Sequence, residues 1–283
     1  MIYGVAAALL WGAADFATAL LGRRLPLFPM VVVVQTAGLV IAAGLWLVLR
    51  PTFDAPPIEA AILAIDGFIS AVGYVVVYRS LVLGPMALVS PIAATYAVVA
   101  ILLSVVVLGE RPGPLLLLGI FITTVGVLLT ATDLRAARPR RPEGQPSGVP
   151  LALLSALLFG VASFILARGA QQVGWLYATL LSRTFTAFAA FLIGRVRREE
   201  FRLPDLGSYA RVAALGVLDL VALMAFVYGS EVAPVSLVVA AASTFPLVPV
   251  AGGVLAFGER PAPWQYLGIA AVVGGLVFLG LLA

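Results

Sequence analysis

The chain of 283 residues has no cysteine, no histidine and no lysine. Without cysteine there is no disulfide framework and no thiolate nucleophile. Without histidine, the common zinc sites, haem ligation and His-based triads are ruled out. Charge is scarce too. Charged residues make up 11% of the chain and acidic residues number 13, where a soluble domain carries about 25% charged residues. No P-loop motif occurs, so nothing points to ATP use. The pI near 9.8 would suit a nucleic-acid binder. However, all 17 basic residues are Arg, and most sit in short stretches between apolar runs, which is the distribution of topology determinants. Nucleic acid is not an expected partner, and no cofactor or metal is expected.

What remains is apolar. Hydrophobic residues are 63% of the chain and the mean hydropathy is +1.14. Runs of about 20 apolar residues read as membrane-spanning helices. Ten such spans are expected, near 2–21, 29–49, 60–82, 86–108, 113–132, 149–168, 174–194, 209–230, 233–257 and 262–282. The first has no positive region before it and is followed by Arg23 and Arg24. That is the reverse of a cleavable signal, so the span is expected to be retained. One long polar linker, 133–148, is rich in Pro, Gly and Arg and divides the chain into halves, 1–132 and 149–283.

The halves resemble one another. WGAADF at 11–16 matches FGVASF at 159–164, and LGERPGPLLLLGI at 108–120 matches FGERPAPWQYLGI at 257–269. Between these, Gln35 aligns with Arg183 and Thr36 with Thr184, and YRS at 78–80 matches YGS at 228–230. This is an internal duplication. Two repeats of five spans enter the membrane in opposite directions, so the expected fold is all-α, two inverted five-helix repeats around a central cavity. The recurring GERP is then one corner used twice. Gly109 and Gly258 can end a helix in the left-handed cap conformation, and the following Pro suits the first turn of the next helix. Glu110 and Glu259 are candidates for a gate contact as well as for a plain corner.

These motifs carry a family resemblance. Ten spans in two halves, each half with a WG/FG-type first helix, a proline in its fourth helix (Pro91; Pro246 with Pro249) and then GERP, resemble the EamA family of the drug/metabolite transporter superfamily. The resemblance implies a secondary transporter with a cavity between the halves, often for amino acids or other small metabolites.

Four ionisable residues, Asp15, Asp66, Arg183 and Asp219, lie well inside expected spans. A charge at the bilayer centre costs about 2.5–3.5 kcal/mol on the gentlest scale, so each must pair, stay neutral or face a wet cavity. Asp15 and Arg183 fall at depths within about 6 Å of each other on spans running the same way. That predicts a pair, either structural or serving as a substrate anchor, with Arg183 on a carboxylate and Asp15 on an ammonium. Gln35, aligned with Arg183, is a candidate cavity residue. Asp66 and Asp219, on the third helix of each half, are candidate proton carriers. Trp11, one turn from Asp15, is expected to wall the cavity, with Tyr74, Tyr96 and Phe164 as further aromatic candidates. Tyr78 and Tyr228 lie near span ends and read as interfacial anchors. Ser243 and Thr244 beside Pro246 resemble a locally broken helix, where freed backbone can meet a ligand. Pro91 and Pro246 are candidate hinges.

The function expected from all this is a secondary exporter of small metabolites, amino acids first, working by alternating access with possible proton coupling. Drugs or sugar phosphates are alternative cargo. A pore, a lipid-handling scaffold or an intramembrane enzyme is more remote, since metal ligands are lacking and Asp66 and Asp219 lack a GxGD context. The chain is expected in a bacterial inner (plasma) membrane. Thirteen arginines follow odd-numbered spans and only Arg50, Arg111 and Arg168 follow even ones. That bias puts linker 133–148 in the cytoplasm and both termini outside.

Overall fold

A segment in lipid must satisfy its backbone hydrogen bonds internally, and an apolar chain with no polar edge does so as helices. The structure is a computed structural model that describes residues 1–51, 56–84, 86–111, 113–131, 148–258, 262–264, 266–268, 270–271 and 274–275. Its helices, in chain order, are α1 (Ile2–Gly22), α2 (Leu27–Leu49), α3 (Pro57–Leu83), α4 (Met86–Ala94), α5 (Tyr96–Val107), α6 (Pro114–Ala131), α7 (Val149–Val173), α8 (Trp175–Val196), α9 (Leu206–Val232), α10 (Val235–Ala242) and α11 (Leu247–Phe257). Among the described residues, eight helices are long and apolar enough to cross a membrane. They correspond to expected spans one to four and six to nine, with α4–α5 and α10–α11 each forming one span. The expected fifth and tenth are not among them. Within α6 a shorter apolar helix runs over Leu117–Gly126, and most of 262–282 lies outside the described residues, as does nearly all of the linker.

Large side chains such as Leu9, Val40, Val106 and Phe121 are exposed and form the lipid-facing surface. Small residues face inward, as in helix contacts made without a solvent-driven force. The halves interlock: α1 packs along α9, α3 along α7 and α8, and α2 along α8 and α9. The start of α7 lies against the end of α3, where a Cβ on Gly148 would come within 2.6 Å of the Ser80 carbonyl. The end of α7 meets the start of α3, where Arg168 donates to both carboxylate oxygens of Glu59 at 2.7 and 2.9 Å. Thus α7 is antiparallel to α3. Because α1 and α3 run the same way, α7 runs opposite to its repeat partner α1.

The ends of α3 and α9 coincide at an offset of 149 residues, the same as the GERP offset. Tyr78 therefore corresponds to Val227, and the YRS/YGS match is one residue out of register. At this offset both fourth spans break at one place. α4 gives way to α5 at Thr95, four residues after Pro91, which lies inside α4. The break between α10 and α11 covers 243–246. Each first helix presents a glycine to the broken helix of the other half. A Cβ on Gly12 would lie 2.6 Å from the Phe245 carbonyl oxygen and 2.7 Å from Val248 Cβ. One on Gly160 would lie 2.8 Å from the Tyr96 carbonyl oxygen and 2.5 Å from Val99 Cβ.

The GERP corner has a definite role. Gly109 and Gly258 have positive φ, 67° and 65°, the left-handed cap that glycine tolerates. Glu110 then reaches across the halves, and its carboxylate accepts from the backbone N–H groups of Val235 and Ser236 at 2.8 and 3.1 Å. These are orphan donors at the start of α10, and an anion there also suits the helix dipole. Glu259 lies outside the described residues. On the opposite face Asp205 caps α9, accepting from the Ser208 N–H at 2.9 Å and the Ser208 hydroxyl at 2.7 Å. Those bonds hold its carboxyl below the usual range.

Candidate functional site

A cavity of about 100 Å³ lies between the halves, enough for several waters or a small molecule. Helix α1 contributes Trp11, Asp15 and Thr18. Helix α3 contributes Asp66, Ser70, Tyr74 and Tyr78, and α8 contributes Ser182 and Arg183. Asp219 and Phe226 come from α9, Phe159 and Ser163 from α7, and Tyr96 and Phe245 from the two helix breaks.

Two contacts between repeat-equivalent residues bound this space. Equivalent residues that touch must lie on the pseudo-two-fold axis. Tyr96 and its counterpart Phe245 meet with ring centroids 6.3 Å apart. Arg183 and its counterpart Gln35 are hydrogen bonded, Nη1 donating to Oε1.

Arg183 is almost wholly buried, at 1% exposure. Its Nη2 donates to Asp219 Oδ2 at 2.5 Å. The Tyr74 hydroxyl donates to the same carboxylate at 3.1 Å to either oxygen, and the guanidinium sits 5.7 Å from the Tyr74 ring centre. Arg183, Asp219, Gln35 and Tyr74 are therefore one network tying α2, α3, α8 and α9 together. A second acid, Asp66, accepts from Ser182 Oγ at 2.6 Å and more weakly from Ser70 Oγ at 3.5 Å. Among the described residues Asp15 has neither a hydrogen-bond nor an ion-pair partner.

A family model described as the EamA-like transporter family matches residues 1–132 and 146–281. The chain belongs to this family. The two matched blocks are the two repeats, and the family lies within the drug/metabolite transporter superfamily. A solved structure described as "Crystal structure of protein" is 23% identical, with a TM-score of 0.75, over 100% of this chain and 98% of its own. At that identity the likeness concerns the fold alone. No curated protein gives a significant match.

In this EamA-like chain the expected pairing of Asp15 with Arg183 is replaced by Arg183 with Asp219. Depth along the membrane was shared by both acids, but α8 packs directly on α9, which brings Asp219 to the guanidinium. Gln35 is buried and holds Arg183 without lining the cavity. Phe164 does not line it either. It packs in the core, while its neighbour Ser163 faces the cavity, one residue on a helix being a turn of about 100°. Ser243 and Thr244 also stay out of the cavity. Their hydroxyls return to the carbonyls of Ala240 and Ala241 at 2.8 and 2.6 Å. Tyr78, read as an interfacial anchor, is only 3% exposed and lines the cavity. Tyr228 instead joins an aromatic cluster with Tyr3 and Trp175, ring centroids 4.8 and 5.9 Å away.

Sequence reasoning missed Phe159, Ser163 and Phe245. The duplication held the signal, because they are the repeat counterparts of Trp11, Asp15 and Tyr96. Thr18, Ser70 and Ser182 are small hydroxyl residues on otherwise apolar helices, and no pattern in the sequence distinguished them.

Proposed function

We propose that the chain is a secondary transporter of small metabolites carrying an amino group, amino acids among them, and that it works by alternating access between its two repeats. The observation that carries this reading is the polar, aromatic-lined cavity on the pseudo-two-fold axis, in which Asp15 has no partner among the described residues. A group that costs so much to leave unpaired inside a membrane is retained where something visits it. The Arg183 network and the two helix breaks give each half a rigid element and a bendable one, which rocking of one repeat against the other requires. Sugar phosphates fit less well, since the described lining of the cavity has three carboxylates and one guanidinium, which already faces Asp219.

The test is uptake into proteoliposomes against a trans gradient. Labelled amino acids and amines should enter saturably with protein and not without it. A protein that gives no saturable uptake of any of them is not this transporter. Proton coupling is part of the proposal, with Asp66 as carrier because Asp219 is held in the ion pair. Asp66→Asn should remove the pH dependence of net uptake and leave exchange, and an unaltered pH profile would exclude the role.

Orientation follows from charge. The α8–α9 loop and linker 133–148 share the Arg-rich face, which should be cytoplasmic in a bacterial inner membrane with both termini outside. The chain has no native Cys, so Glu200→Cys, exposed in that loop, gives a clean probe. It should resist an impermeant thiol reagent in sealed cells and react once they are opened. Reaction in sealed cells would invert the topology.

A further inference from the structure

We infer that the group recognised in this cavity is a positively charged nitrogen, held by Asp15 and the surrounding aromatic rings, and that a substrate carboxylate finds no counter-charge there. The inference rests on the transporter reading only for what happens to the ligand after it binds. It makes the cargo class an organic amine, preferred over the amino acid with the same side chain.

The argument is one of unspent charge. Among the described residues lining the cavity, Arg183 is the single cation, against Asp15, Asp66 and Asp219. Arg183 offers a substrate carboxylate little, because Asp219 already neutralises its charge and Gln35 fixes its orientation. Its Nη1 is held by Gln35 and its Nη2 by Asp219. Its Nε is unpartnered and stands 3.7 Å from where a Cβ on Gly38 of α2 would be. The acids differ in the opposite sense. Asp219 has Arg183 and Tyr74, Asp66 has two serine hydroxyls, and Asp15 has no partner among the described residues. An unpaired carboxylate against an apolar wall is a site for a cation.

The wall supports the same reading. Trp11 is one helical turn from Asp15, and Tyr78, Tyr96 and Phe245 complete an aromatic lining. The face of such rings attracts ammonium groups. Tyr74 already shows the mode, with the Arg183 guanidinium 5.7 Å from its ring centre. An independent sign that the cavity takes a hydrogen-bond donor is the Tyr96 hydroxyl. Tyr96 is 5% exposed and lines the cavity, yet its oxygen has no hydrogen-bond partner. Buried hydroxyls are ordinarily satisfied, and a bound amine is a donor of the right kind.

Three probes with one hydrocarbon tail separate the charges: 3-methylbutylammonium, leucine and 4-methylpentanoate, measured by titration calorimetry on the purified protein. The ammonium should bind about tenfold or more tighter than leucine, and the carboxylate should bind weakest of the three. Asp15→Asn should weaken the ammonium by about tenfold or more, and Asp15→Glu should keep most of its affinity. Equal or tighter binding of leucine or 4-methylpentanoate overturns the inference, as does silence from all three probes. If Asp15→Asn does not fold, the ranking on the unaltered protein decides. If the predicted ranking is found but no probe crosses a proteoliposome membrane, the transport reading fails and this inference stands. If leucine is both bound and carried in preference to the amine, the inference fails and transport stands.

Discussion

Arg183→Met lowers the stability of the purified protein by about 3–5 kcal/mol, the cost of leaving a buried ion without its partner. The guanidinium is 1% exposed, and its loss strands the Asp219 carboxylate with the Tyr74 hydroxyl alone and frees Gln35 as well. The same reasoning gives a sharper expectation for the double variant Arg183→Met with Asp219→Leu. Replacing both ions by apolar side chains removes the desolvation cost along with the attraction. The double variant should therefore recover most of what the single one loses. Denaturant titration of the three proteins measures this. Additive losses would show that the two side chains do not act as a pair.

Gly12→Ala and Gly160→Ala come next in size. Each added Cβ would sit against backbone, 2.6 Å from the Phe245 carbonyl oxygen in one case and 2.8 Å from the Tyr96 carbonyl oxygen in the other. A carbonyl cannot swing aside as a long side chain can, so the helices must separate. Overpacking of this kind costs about 1–3 kcal/mol. The repeat makes the two losses similar and places both at the helix breaks, so transport should fall with stability. Gly44→Ala is the control. It has no neighbour within 4 Å and should be neutral or slightly stabilising, as alanine is in a helix. If Gly12→Ala and Gly160→Ala behave like Gly44→Ala, α1 and α7 do not pack on the broken helices.

Much of this architecture was legible in the sequence because the chain says most things twice. The GERP repeat sets an offset of 149 that pairs Tyr96 with Phe245, and the WGAADF/FGVASF match sets one of 148 that pairs Gln35 with Arg183. Both pairs meet on the axis. What stayed hidden was rotation about each helix. Depth can be counted along a span, which made Asp15 the expected partner for Arg183, and only the packing of α8 on α9 gives that place to Asp219. Phe164 was lost to the same cause, one residue out of phase with the cavity face. Ser243 and Thr244 were placed at a break, but their hydroxyls are used up within their own helix. Tyr78 was misread because nearness to a span end says nothing of the packing around it, and neighbouring helices bury the ring.

Glu110 shows how a repeated motif can carry a role that periodicity does not reveal. The sequence put a glutamate at a tight corner. The structure makes that corner a clamp on the opposite repeat, through the first N–H groups of α10. The repeats are joined at the axis by Arg183 and Gln35 and at one membrane face by Glu110 and by the Glu59–Arg168 pair. Under the proposed alternating access, these contacts open when cargo leaves through that face.

The central claim is that one cavity serves both sides of the membrane, one side at a time. Ser163→Cys tests it most directly, because Ser163 lines the cavity as the repeat counterpart of Asp15 and the chain offers no competing thiol. In sealed proteoliposomes of known orientation, a small impermeant thiol reagent should reach this Cys from the outside and, when trapped within, from the inside. The membrane should stay impermeable to the reagent throughout, and 3-methylbutylammonium should slow both reactions. Labelling from one side only, or leakage of the reagent through the protein, would contradict alternating access.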